Sequence, residues 1–383
     1  MNEIELLQDL IRCPSVTPDE AGALSLLEKV LSQAGFQCDR LKFGKVDNLF
    51  ARFGNEVPHF CYAGHTDVVP PGDVSSWKYP PFSGTLADGY IWGRGASDMK
   101  GSVAAFAIAA CEFVKQKSFK GSISFLITGD EEAEAIDGTV KVLEWMKAND
   151  QIPDHCLVGE PSCPVEFGDT IKIGRRGSIS FTIEAKGKQG HAAYPEKSDN
   201  PVPKLARLVE RIAHVALDQG NAHFGPSTLA ITSFDVGNPA SNVIPEKARL
   251  RFNIRYNTEQ SPEKIKAWVD DHLAKIKAEL GGEFSYTTQE NADVFLTKPG
   301  QFADVVAKAV AQETNRTPEF STSGGTSDAR FIKDYCEVVE FGPLNQTIHQ
   351  TDERVGVEEM RALKRTYVRV LENYFASYAT AAK

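Results

Sequence analysis

Five stretches of this chain set acids and imidazoles where divalent-metal chemistry would use them: Gly64-His65-Thr66-Asp67, the glycine-rich run from Gly93 to Gly101 around Asp98, Asp130-Glu131-Glu132, Gly159-Glu160-Pro161, and His349. Carboxylate oxygen and imidazole nitrogen are the donors that hard and borderline divalent ions take, and no thiolate accompanies them. The donor count suits two ions. With Asp98 shared between them, His65 and Glu160 complete one ion, and His349 and Glu132 the other, with a position left on each for water. Three carboxylates then nearly balance two divalent cations; without cations they would repel one another and their pKa values would rise. Zinc is the first expectation, with cobalt or manganese accepted by the same donors. The reaction such a pair of ions serves is hydrolysis, and an amide is the expected bond.

The adjacent acids Glu131 and Glu132 divide the work, since neighbours in a turn point different ways. Glu132 binds metal, and Glu131 is the general base that takes a proton from water and passes it to the leaving amine. Asp67 lies two residues past His65, and in an extended segment the two side chains share a face, so Asp67 is expected to accept the second imidazole N–H. Taken singly, each feature has a plainer reading. An H-x-D triplet arises by chance, D-E-E is a common solvated helix start, and Asp98 precedes an apolar helix it could cap. Their convergence at several strand ends carries the metal reading.

The elements that must position these residues follow an α/β pattern. Buried strands are expected at Phe60–Gly64, Ser122–Thr128 and Cys156–Gly159, with helices at Lys100–Lys117 and Gly138–Lys147. Each strand runs into one of the acid or histidine clusters, and ligands of open α/β sheets bind beyond the carboxyl ends of strands. Near Gly177 the pattern changes to strand Ile179–Ala185, helix Pro203–Leu217, strands Thr228–Val236 and Arg249–Tyr256, helix Pro262–Leu280 and strand Glu283–Gln289. That β-α-β-β-α-β order is ferredoxin-like. After Lys298 the first pattern returns, with helix Gln301–Thr314, strand Glu337–Phe341 and a terminal helix from Val357 to about Tyr378. The expected fold is an α/β catalytic domain, a mixed sheet flanked by helices, interrupted by a smaller α+β domain.

A length of 383 residues suits two domains, and 42% hydrophobic with 25% charged residues is ordinary globular composition. A net charge of −10 disfavours nucleic-acid and membrane-surface partners, which require a positive field, while leaving room for a local arginine pocket. The longest apolar run, Gly101 to Cys111, is far short of a span, and the first residues lack a basic signal-peptide start, so a cytoplasmic location is expected. Seven scattered cysteines without a C-x-x-C indicate neither disulfides nor a thiolate zinc site.

Gly64 to Val68, Gly93 to Gly101, Glu131 with Glu132, and Gly159 to Pro161 resemble the metal motifs of the co-catalytic zinc family that contains aminoacylases and glutamate carboxypeptidases, and the likeness covers essentially the whole chain. The resemblance implies the same metal and base roles, and a catalytic domain (1–176 and 291–383) broken by a lid and dimerisation domain (177–290). Three segments, G-R-R-G-S from Gly174, Ser323 to Phe331 and Phe341 to His349, are similar to the members that remove succinate from a diamino diacid bearing three carboxylates and an amine. Another N-acyl amino acid is the alternative. By the same resemblance Arg175, Ser178, Asn242, Arg255, Gly325, Thr326 and Asn345 line the substrate site. The resemblance also implies that His191, in G-K-Q-G-H-A-A-Y-P-E, steadies the tetrahedral oxyanion and reaches the site of the partner subunit in a homodimer. Arg175, Arg176 and Arg255 supply positive forks for an anionic substrate, with Arg176 equally readable as a surface or ion-pair residue. His59, His155, His214, His223 and His272 carry no motif.

Overall fold

The computed structural model describes residues 1–378, which fall into two compact units. The first comprises Met1–Ile173, Thr297–Ser321 and the chain from Ser327 on; the second comprises Gly174–Leu296 with Thr322–Thr326.

The first unit is built on an eight-stranded mixed sheet in the order Gln37–Phe43, Val46–Phe53, Ser122–Thr128, His59–His65, His155–Val158, Glu337–Glu340, Thr170–Lys172, Glu319–Ser321. His59–His65 runs parallel to both of its neighbours, and it and Ser122–Thr128 are buried at every position. This double-sided burial is why these strands read as continuous apolar runs without alternation. Helix Lys100–Gln116 packs on His59–His65 and against helices Glu3–Ile11 and Val357–Tyr378. Phe106 of that helix stacks on Tyr62 with ring centroids 4.2 Å apart, which fixes the helix over the strand that ends in His65.

The second unit carries four antiparallel strands in the order Thr228–Asp235, Lys247–Tyr256, Gly177–Lys186, Glu283–Ala292. With helices Pro201–Ile212 and Pro262–Leu280, this is the ferredoxin-like order read from the sequence. Alternate residues Ile179, Phe181, Ile183 and Ala185, and Leu250, Phe252, Ile254 and Tyr256, meet Leu205, Leu208 and Ile212 and Ile265, Val269, Leu273 and Ile276 in one core.

The observed units differ from the expected boundaries. They divide at Ile173/Gly174 and Leu296/Thr297, because Gly174–Arg175 pairs with Phe295–Leu296, and Thr322–Thr326 groups with the second unit. The helix expected from Pro203 begins at Pro201, where the Asn200 side chain caps the Val202 N–H and proline occupies a first-turn position, and it ends at Ile212. All seven cysteines are free thiols. Among the described residues, no helix is long and apolar enough to cross a membrane.

Candidate metal centre

Three adjacent parallel strands of the first unit deliver the site. His65 is the last residue of its strand, in register with Thr128, after which the neighbouring strand turns into Asp130-Glu131-Glu132. On the other side, Val158 leads directly into Gly159 and Glu160. Gly159 sits where a Cβ would fall 1.9 Å from the Tyr62 hydroxyl, so only glycine lets Glu160 leave the sheet at this depth.

Asp98 arrives on a turn rather than a strand. Gly95 adopts φ +84°, in the left-handed region that favours glycine. The helix that follows has Met99 at its N-cap and no side-chain capping bond, so the Asp98 carboxylate is not spent on the helix. His349 is itself left-handed at φ +59°, a conformation uncommon for a residue with a side chain.

The Asp98 carboxylate stands between two imidazoles: Oδ1 is 3.3 Å from His65 Nε2, and Oδ2 is 3.3 Å from His349 Nε2. Glu132 Oε1 lies 2.9 Å from His349 Nε2, while Glu160 Oε1 and Glu131 Oε2 are 3.8 and 3.9 Å from His65 Nε2. His65, Asp98 and Glu132, and likewise His65, Glu131 and Glu160, have donor atoms mutually within 4.8 Å. By distance alone, both neighbouring glutamates are within reach of a cation near His65. The close His349–Glu132 contact separates them, since it engages Glu132 and not Glu131.

His65 fits a metal ligand. Its Nδ1 donates to the Asp67 carbonyl at 2.9 Å, which leaves the Nε2 lone pair facing carboxylates. Nε2 is buried and has no hydrogen bond of good geometry. A lone pair aimed at carboxylate oxygens is repelled by them unless a proton or a metal cation lies between. The electrostatics agree. Burial lowers the basicity of His65, but the Asp98 contact and the charges of Glu131, Asp67 and Glu160 raise it well above its ordinary value. Asp98 and Glu132 push His349 up to about 10. Burial raises Glu131, and the Glu160 charge adds to it. For Asp98 burial works upward, but the two imidazoles hold its carboxyl well below the usual range. The cavity demands positive charge.

Asp67 does not do what its spacing predicted. The chain leaves the strand after His65, so the Asp67 backbone carbonyl, not its carboxylate, meets the imidazole; Oδ1 stays 3.6 Å from Nδ1. The buried carboxylate instead accepts the N–H groups of Glu131 (3.3 Å) and Glu132 (3.0 Å), fixing the backbone of the acid pair. Burial pushes its pKa up to about 6, opposed by the His65 charge and these two N–H groups.

Asn345 also belongs to the first unit: its N–H donates to the Cys163 carbonyl, and the neighbouring Leu344 carbonyl accepts from the Ser97 hydroxyl at 2.6 Å, tying this segment to the Asp98 turn. The remaining expected substrate residues lie in the second unit. Arg175 is buried and donates to the Gly325 carbonyl at 3.1 Å. The Ser178 hydroxyl accepts from Asn253 at 3.0 Å, and Ser178 is the cross-strand partner of Arg255. Burial and the nearby charge of Arg176 lower the Arg255 pKa. Arg176 meets the Thr228 hydroxyl, and neither guanidinium has an acid partner among the described residues. His191 is exposed on a two-residue strand paired with Val243–Ile244, beside Asn242, whose carbonyl accepts the Ala192 N–H. His191 Nδ1 accepts the Ala193 N–H at 3.0 Å, so a neutral ring carries its proton on Nε2. Of the histidines without a motif, His59 is buried against the Ser124 hydroxyl and the partly buried His155 meets the Tyr374 hydroxyl, both structural contacts.

Sequence reasoning missed three residues that hold the centre. Glu353 and Arg94 form a fully buried pair under the Asp98 turn. Lys100, also fully buried, donates to the carbonyls of Leu10 (3.0 Å) and Cys13 (2.8 Å), fastening the end of the first helix. Arg94 and Lys100 lie inside the glycine-rich motif and Glu353 four residues beyond His349, so proximity in sequence was the available signal.

Two imidazoles and a ring of carboxylates at the C-terminal edge of a mixed α/β sheet define a metal-dependent hydrolase. The chain belongs to the peptidase family M20/M25/M40, whose family model matches residues 61–373. It is 53% identical to the succinyl-diaminopimelate desuccinylase of Rhodospirillum centenum, over 97% of each chain. It is 50% identical to the protein of that name from Cereibacter sphaeroides, over 98% of this chain and 100% of the relative. Among solved structures it resembles the Bacillus subtilis YXEP protein, described as a dinuclear metal-binding peptidase of the M20 family, with a TM-score of 0.74, 16% identity, and coverage of 97% of this chain and 98% of that one.

Proposed function

We propose that this chain hydrolyses the amide of N-succinyl-L,L-2,6-diaminopimelate, releasing succinate and L,L-2,6-diaminopimelate, as a cytoplasmic enzyme of diaminopimelate and lysine biosynthesis. The observation that carries the dinuclear reading is the Asp98 carboxylate with one imidazole nitrogen 3.3 Å from each oxygen. His65, Asp98 and Glu160 would hold one ion and His349, Asp98 and Glu132 the other, zinc first, with cobalt or manganese compatible. When bound, the ions polarise the amide carbonyl and make water nucleophilic near neutral pH.

The chain's own residues do the rest. Glu131 takes the proton of the attacking water and passes it to the leaving amine. Asp67 holds the Glu131 and Glu132 backbone. His191, its Nε2 proton set by the Ala193 contact, donates to the developing oxyanion. Arg175, Ser178, Asn242, Arg255, Gly325, Thr326 and Asn345 bind the substrate, the arginines matching its carboxylates. Arg176 joins them, its guanidinium being without an acid partner among the described residues.

In this reading the second unit is the lid and dimerisation domain, and the partner subunit's copy of it supplies the oxyanion donor. Complementation tests this: Glu131→Gln and His191→Ala, each nearly inactive, should together regain roughly a quarter of wild-type activity through mixed dimers. No recovery would mean His191 serves its own chain. Substrate choice is tested with a panel of N-succinyl and N-acetyl amino acids. The proposal expects the succinylated diamino diacid to have the highest kcat/KM; a preference for an acetylated amino acid would assign the chain to the alternative deacylase reading.

A further inference from the structure

Glu353 is fully buried, and its two oxygens are taken up by a single turn. Oε1 accepts the N–H groups of Ser97 and Asp98, each at 3.0 Å; Oε2 accepts the Gly95 N–H at 3.0 Å and Arg94 Nη1 at 2.7 Å. Arg94 continues the chain of contacts: Nη1 donates to the Gln350 carbonyl at 3.2 Å and Nη2 to the His349 carbonyl at 3.5 Å, and the guanidinium lies 5.2 Å from the centre of the Trp77 ring. One buried ion pair thus grips the backbone of Asp98 from one side and that of His349 from the other.

We propose that Glu353 and Arg94 are positioning residues that set the spacing of Asp98 and His349, and so act selectively on the ion those two residues hold with Glu132. The proposal rests on the dinuclear reading above. The selectivity follows from where each ligand is anchored. His65 ends a central strand and Glu160 follows another, both fixed by the sheet ladder. Asp98 and His349 sit on irregular backbone, with His349 at positive φ, and the ion pair is their common support. Stability alone does not account for such a pair, since a buried ion pair contributes little beyond well-packed apolar residues of the same volume. Outer-shell partners of metal ligands are worth about 10- to 100-fold in metal affinity.

The test is a calorimetric titration of metal-free protein with Zn²⁺, joined to elemental analysis after dialysis. In Glu353→Gln the amide nitrogen must face N–H donors whichever way it turns, so one side of the grip is lost. The expected result is one ion bound as in the wild type and the other weakened about 10- to 100-fold, with kcat recovering at excess Zn²⁺. A merely structural role would lower the melting temperature and leave both affinities unchanged. Should Glu353→Gln fail to fold, Arg94→Lys carries the same test, because it keeps the charge pair and loses the fork to His349 and Gln350. A folded variant that binds both ions as the wild type does, or weakens both equally, overturns the proposal. A wild-type protein that takes up only one ion would instead overturn the dinuclear reading.

Discussion

Asp67→Asn probes the support beneath the acid pair. The carboxylate is buried and receives the Glu131 N–H on one oxygen and the Glu132 N–H on the other, at 3.3 and 3.0 Å. An asparagine can accept only one of these and turns its amide N–H groups against the second donor. Hydrogen bonds to a charged group are each worth about 1.5–3 kcal/mol. Losing one, with the loss expressed in the placement of Glu131 and Glu132, lowers kcat/KM about 10- to 150-fold, at 1.36 kcal/mol per tenfold. The fold should tolerate the change, because burial already pushes the Asp67 carboxyl up to about 6 and so favours a neutral side chain there. Steady-state succinate release at saturating metal, with the melting temperature measured alongside, reads the effect. A folded Asp67→Asn protein with kcat/KM within about twofold of wild type would refute the claim that this carboxylate places the acids.

Asp98→Ala should abolish both metal sites together, read by elemental analysis; two ions still tightly held would rule out the shared ligand. Arg255→Ala should raise KM for the three-carboxylate substrate about 10- to 100-fold, with a much smaller effect on a monocarboxylate acyl-amino acid; equal losses on both would make Arg255 a support of the fold. His59 is held neutral by burial, its pKa lowered from 6.5 to about 3 with the Arg52 charge contributing. The unfolded chain takes up that proton first, so the stability His59 contributes is present above pH 6.5 and lost as pH falls toward about 3. His59→Gln should therefore flatten the decline of the urea midpoint across that window, and an unchanged slope would place the acid sensitivity elsewhere.

The sheet core and the cluster of acids and imidazoles were legible because parallel strands buried on both faces read as short apolar runs, and His65, Glu131, Glu132 and Glu160 stand at or just beyond their ends. The second unit was legible for a related reason: Ile179 to Ala185 and Leu250 to Tyr256 alternate cleanly over one core. The hairpin Gln37–Phe53 escaped because Gln37–Phe43 has no buried residue, and Thr85–Ala87, Tyr90–Trp92 and Arg354–Gly356 are too short to show any period. The part Asp67 plays was misread because spacing along a strand was assumed to continue where the chain had already turned. Glu353 escaped for a different reason, its nearness to His349 in sequence being the sole hint. An acid that serves backbone amides looks in sequence like any solvated acid, and only the turn it fills reveals that its oxygens are occupied.

The proposed two-ion centre uses Glu131 as its proton carrier and acts on a succinyl amide. The most direct measurement is succinate release from N-succinyl-L,L-2,6-diaminopimelate by wild type and by Glu131→Gln, with bound metal counted in the same samples. Two ions per chain are expected in both proteins, with turnover by the wild type and kcat at least ~100-fold lower in the variant. Absence of succinate release by two-ion wild type, or near-normal turnover by two-ion Glu131→Gln, would contradict it.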